Sequence, residues 1–423
     1  MQVRALANQH EPRLPGHSLG PVRATTWWGV GAVVALTAGA VWFAAGDPSG
    51  AGHRSHTVAG AGEEPAQAHH ATVSAPPPAP LRADESFLDL AMPAPYAPTS
   101  RGTATDDYRC LLLDPGLDEE VFVTGVDVRP GRADLVHHVI LFRVPPEQVA
   151  AAQQQDAADD EQGWTCFGGT GLDVGGAGGS LDRAPWLGAW APGGGERLMS
   201  DGVGIPLEPG SQVVMQVHYN LLAGDGEDTT SARLRVAPAS AELEPLDTML
   251  LVAPVELPCR PGHDDSPLCE RERSVLDLMA RFGPESGATS AGLQLLCDGD
   301  MTDPAAGPVQ SCDRVVRQAG TLRAAAGHMH LLGREIRIEL NPGTPQAQTV
   351  LDVPVWNFDD QGARPLEEPL PVAPGDVLRV TCRHDQAVRD VLPAFEGQAE
   401  RYVVWGEGTT DEMCLGIVLL TRP

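Results

Sequence analysis

From about residue 85 onward the chain is a succession of short apolar runs. "EEVFVTGVDV", "HHVILFRV", "GSQVVMQVHYNLL" and "ARLRVAP" each hold a core of β-branched or alternating residues bounded by Gly, Pro or Asp. That is the pattern of strands joined by turns. From about Leu246 it repeats in "DTMLLVAPVEL", "HMHLLGREIRIEL", "QTVLDVPVW", "GDVLRVTCR" and "CLGIVLL". One stretch, "SVLDLMARFG", reads as a helix, and the acidic, Gly-rich insert at 150–179 reads as loop. Many short strands without regular strand-helix alternation predict an all-β fold: two tandem antiparallel β-sandwich, jelly-roll-like domains at 85–242 and 243–423.

Upstream the pattern changes. "TTWWGVGAVVALTAGAVWFAAG", residues 25–46, carries no charge and follows Arg4, Arg13 and Arg23. It is long enough to span a bilayer, with the arginines on the cytoplasmic side. Residues 1–23 are therefore expected to form a cytoplasmic tail and 24–46 a single transmembrane anchor or a signal segment, so that all that follows is exported. Residues 47–84 are rich in Pro and Ala and too poor in large apolar side chains to fold, which predicts a disordered tether. His69 and His70 in it read as solvated linker residues.

Composition narrows the function. The 423 residues carry a formal charge of −28 and no lysine, which excludes the basic footprint of a nucleic-acid binder and reads as a charge that keeps the chain soluble. The eight cysteines, Cys110, Cys166, Cys259, Cys269, Cys297, Cys312, Cys382 and Cys414, all fall in the exported part without a CxxC pair. Disulfides are thus expected in place of a zinc ribbon or a redox dithiol.

The histidines are unevenly placed. Of 13, six precede residue 71, and five of the remaining seven (His137, His138, His218, His328 and His330) sit in apolar strand-like runs. A ring buried there without a partner costs about 1–3 kcal/mol, and five such placements call for a common purpose. In "GHMHLLG", His328 and His330 are two apart and share one strand face, with Met329 turned to the core. His218 in "VVMQVHYN" brings no second strong ligand on its own face. His137 and His138 are adjacent, and regular pleating sends them to opposite faces, so both can join His218 only if the strand bulges there. Ligation through Nδ1 eases that geometry.

"LVHHVILF", "VVMQVHYN", "GHMHLLG" and "GTTDEMCLGIVLL", in this order over roughly residues 85 to 423, resemble the copper type II, ascorbate-dependent monooxygenases, which include peptidylglycine α-hydroxylating and dopamine β-monooxygenases. The resemblance implies two copper ions. His137, His138 and His218 would hold the electron-donating copper, and His328, His330 and Met413 the copper at which oxygen and substrate react. Two imidazoles with a thioether suit a site cycling through Cu(I). It further implies disulfides Cys110–Cys166 and Cys382–Cys414, and a role for Tyr108 beside the first copper. The other four cysteines allow three pairings, of which Cys259–Cys269 with Cys297–Cys312 is the local one.

The sequence also departs from that family. Peptidylglycine enzymes clamp the substrate carboxylate with an Arg two residues before the first His of the HxH and with polar residues after the Met-Cys pair. Here those positions are Ala326 and Leu415, Gly416 and Ile417. The expectation is an enzyme hydroxylating a C–H bond of a neutral or apolar substrate, using O2 and ascorbate or another one-electron donor. The alternative is a non-enzymatic exported protein that binds or stores copper.

Overall fold

The structure, a computed structural model, describes residues 78–100, 105–172, 183–192, 194–222 and 224–423. They belong to one compact unit, Thr72–Pro423. The tail, the 24–46 segment and most of the tether lie outside the described residues, and none of the described helices is long and apolar enough to cross a membrane.

Strand is the dominant regular structure of the described residues, as the period-2 runs predict. A long sheet runs in the order Ser86–Ala91, Ser231–Pro238, Val121–Arg129, Val203–Leu207, Glu244–Val252, Leu415–Thr421, Gly320–His328 and Arg364–Val372, with Arg197–Leu198 beside Val121–Arg129. Its midpoint is a short parallel pairing, Glu244 with Val203 and Pro245 with Gly204. One flank faces a five-stranded sheet ordered Trp164–Thr165, Asp106–Leu113, Gln212–Asn220, Val136–Val144 and Trp186–Trp190. Val126, Leu141, Met215 and Leu234 fill the space between them. The other flank faces Val309–Val315, Val377–His384, Gly333–Leu340 and Gln348–Val353, over a core that includes Leu322, Met329, Ile338 and Val380.

All eight cysteines are paired, as Cys110–Cys166, Cys259–Cys269, Cys297–Cys312 and Cys382–Cys414. Four disulfides mark a domain of an oxidising, exported environment.

Three elements differ from the sequence reading. Part of the 150–179 insert is a helix, Pro146–Ala158, opened by Pro at its first turn; Ala152 is its one buried residue, so no apolar period announces it. The expected helix is Arg271–Phe282, burying Leu278 and Phe282, but a second, Pro284–Leu296, follows directly after Gly283 at φ 89°. Finally, Arg364–Val372 is a strand despite Pro365, Pro369 and Pro371, because it lies at the edge of the long sheet, where missing donors are tolerated.

Candidate metal centre

The strand Val136–Val144 pairs with Gln212–Asn220, and its register slips between Val136, opposite Tyr219, and His138, opposite His218. His137 is the extra residue. The slip breaks the pleat where two adjacent rings have to reach the same side. The rings of His137, His138 and His218 lie 5.2, 4.6 and 4.7 Å apart pairwise. Their Nδ1 atoms converge: that of His218 is 2.8 Å from His137 Nδ1 and 3.4 Å from His138 Nδ1. One ligand atom from each ring lies within 4.8 Å of the others.

Asp106 fixes the tautomer. Its Oδ1 accepts from His218 Nε2 at 2.9 Å, so the His218 proton sits on Nε2 and the Nδ1 lone pair faces the other two rings. Asp106 is itself buried, which opposes ionisation, but hydrogen bonds from His218, Thr409 and Thr105 prevail and hold its pKa at about 2. Thr409 reaches it at 2.8 Å from the far end of the chain. Tyr108 stacks on the His218 ring, centroids 3.9 Å apart, and donates its hydroxyl to the Glu407 carbonyl at 2.6 Å. It thus backs the His218 ring. Burial, reinforced by the neighbouring histidines, holds His137 and His138 well below the usual imidazole range, and burial lowers His218 against the pull of Asp106. All three are neutral donors at neutral pH.

The second group uses the other ring nitrogen. His328 ends the strand Gly320–His328, and its Nδ1 lies 2.6 Å from Gln361 Oε1. The Gln361 amide nitrogen donates to the Phe358 carbonyl, which orients the oxygen toward His328. His330 Nδ1 donates to the Asp411 carbonyl at 3.2 Å, while its Nε2 is buried without a partner. Both rings therefore hold a lone pair on Nε2. Burial, then His330, pushes His328 down to about 3. Met413, 7% exposed, precedes the strand Leu415–Thr421, in which Leu415 pairs with His328. The Cys382–Cys414 disulfide anchors the residue after it.

Sequence reasoning missed the residue that ties this group together. Glu412, fully buried, accepts from the backbone N–H of His330 at 3.0 Å, of Met413 at 3.2 Å and of Leu332, and lies 3.2 Å from His384 Nε2. One carboxylate thus joins the HxH segment to the Met413 segment. Its only signal in the sequence is an acidic residue next to an apolar C-terminal run.

The two groups face one another. His137 and His330 ring centres are 6.2 Å apart and those of His138 and His328 5.9 Å, with Phe358 stacked on His137 at 4.8 Å. A buried imidazole nitrogen without a partner and three imidazoles whose Nδ1 atoms gather around that of His218 fit a late transition-metal ion, and Met413, which lines the same cavity as His328, offers a soft thioether. A cavity of about 1160 Å³ opens from His137, His138, His328 and Met413 and extends over mostly apolar walls.

No family model matches the chain. Peptidyl-glycine alpha-amidating monooxygenase A of Xenopus laevis is 25% identical over 336 residues, and form B is 24% identical over 337. Each match covers 77% of this chain but 27% or 29% of the relative, so the chain spans little more than a quarter of these proteins. Among solved structures, an allantoicase has a TM-score of 0.18 at 11% identity, covering 80% of this chain and 90% of its own, a likeness too slight to carry an argument. The relationship that stands is a distant one to monooxygenases.

Proposed function

We propose that this chain is an exported copper-dependent monooxygenase acting on a neutral or apolar substrate. The observation that carries the reading is the complementary tautomer pattern, Nδ1 free on His218 beside His137 and His138, and Nε2 free on His328 and His330. Two copper ions, reduced by ascorbate or an equivalent one-electron donor, would supply the redox chemistry of R–H + O2 + 2e⁻ + 2H⁺ → R–OH + H2O. His137, His138 and His218 would hold one, and His328, His330 and Met413 the other.

The chain's own work is positioning and exclusion of water. Asp106 and Tyr108 fix His218, Gln361 and the Asp411 carbonyl fix the HxH rings, and Glu412 locks the backbone that carries Met413. Ala326, Leu415 and Ile417 line the cavity where a carboxylate clamp would sit, which favours a substrate without an anion. We read 85–242 and 243–423 as tandem jelly-roll-like domains held to a membrane through 24–46.

The test is oxygen uptake by the copper-loaded protein with ascorbate, with copper per chain measured alongside. Two coppers per chain and substrate-stimulated uptake are expected. Copper bound with no uptake across neutral and apolar substrates would favour storage or buffering, and no copper bound would overturn the reading.

A further inference from the structure

The wall of the cavity can be followed row by row across the long sheet. Strand pairing places Thr248, Leu419 and Ala324 in one row, Leu250, Ile417 and Ala326 in the next, and Val252, Leu415 and His328 in the third. All nine line the cavity. Alternation along each strand puts them on one face, so His328 lies at the end of an apolar floor. Ala324 lies four positions before His328, and at about 3.3 Å per residue the floor runs roughly 13 Å away from the His328 ring. Ala324 and Ala326 keep it low where Leu419 and Ile417 are tall.

Trp186 and Trp190 line the cavity from the five-stranded sheet, and Leu293 from the helix Pro284–Leu296. At its rim Leu198, Leu295 and Leu296 stand 42%, 62% and 39% exposed. Large apolar side chains left in water around an opening mark a place where apolar matter passes. The volume exceeds the roughly 300–1,000 Å³ of pockets that take drug-sized ligands. Arg323, one of the two arginines on the lining, is tied to Glu244.

We infer that the substrate is a neutral molecule with a long hydrocarbon body, which lies along this floor and presents one end to His328 and Met413. The inference rests on the proposed monooxygenase reading for its reacting end, while the apolar floor is independent of metal. Recognition is by burial of methylenes, so affinity grows with length. At about 0.8 kcal/mol per buried methylene, each added carbon tightens binding roughly fourfold at most.

The test uses the full chain without metal. N-phenyl-1-naphthylamine fluorescence reports occupancy, and 1-alkanols from hexanol to hexadecanol displace it. The expected result is displacement that strengthens at least twofold per methylene over the shorter members, with dodecanol at least tenfold tighter than dodecanoate. Ala326→Phe, which fills the floor beside His328, should weaken dodecanol at least tenfold; Ala324→Leu, a smaller filling further along, should shorten the longest alkanol accommodated. No displacement, an affinity independent of length, or preference for dodecanoate would overturn the inference, even if copper-dependent oxygen uptake holds. Length-dependent binding without uptake supports the inference and counts against the catalytic reading alone.

Discussion

At the scale of single residues the centre depends on groups that touch the histidine rings from behind. Asp106 is the clearest case, because it alone decides which nitrogen of His218 is free. Asp106→Asn keeps the shape, but its amide can turn a donor toward Nε2 and release the tautomer. The expected effect is a 10- to 100-fold loss of affinity for one of two copper equivalents, read by competition with a Cu(I) chelator, with the other unchanged. These partners were hidden in the sequence for a physical reason. Asp106 is 112 positions from His218, Gln361 is 33 from His328, and Glu412 is 82 from His330. No local period records such contacts. The five strand histidines were legible because a polar ring inside an apolar strand is costly, and five such costs show against the alternation of their runs.

At the scale of elements, the adjacency of His137 and His138 was itself the signal for a bulge, and the register slip falls there. Strands were read from their alternation; the polar helix Pro146–Ala158 and the edge strand Arg364–Val372 were not, because neither carries the period of its class. The packed histidines also set a pH dependence. His137, His138, His218 and His328 have folded pKa values below the unfolded value of about 6.5. The unfolded chain takes protons first, so their contribution to stability is full above pH 6.5 and is lost as pH falls below it. Glu407 runs the opposite way: burial, then Asp411, raises it to about 7, so its contribution is full below about 4.5 and is lost as pH rises through 7. Four groups outweigh one. The Tm of the metal-free protein should fall from pH 7 to pH 5, more steeply in Glu407→Gln; a Tm that is flat or rises toward pH 5 would contradict the buried, neutral state of the rings.

At the scale of the molecule, the centre exists because distant parts of the chain meet. Tyr108 reaches Glu407 across 299 positions and Thr409 reaches Asp106 across 303, while Phe358 covers His137. The all-β class was legible from turns and short runs, but the continuity of one sheet through Val203–Leu207 and Glu244–Val252 was not, since only two residue pairs make the junction. That continuity places the apolar floor and His328 on the same sheet. The proposed function requires two chemically different copper sites in this centre, one of three imidazoles and one of two imidazoles and a thioether. The most direct measurement is copper K-edge X-ray absorption on the reduced protein carrying two equivalents per chain, beside Met413→Ile. A sulfur scatterer at an average of about half an atom per copper, lost in the variant, is expected. Two equivalents bound with no sulfur signal, or a signal unchanged in Met413→Ile, would contradict it.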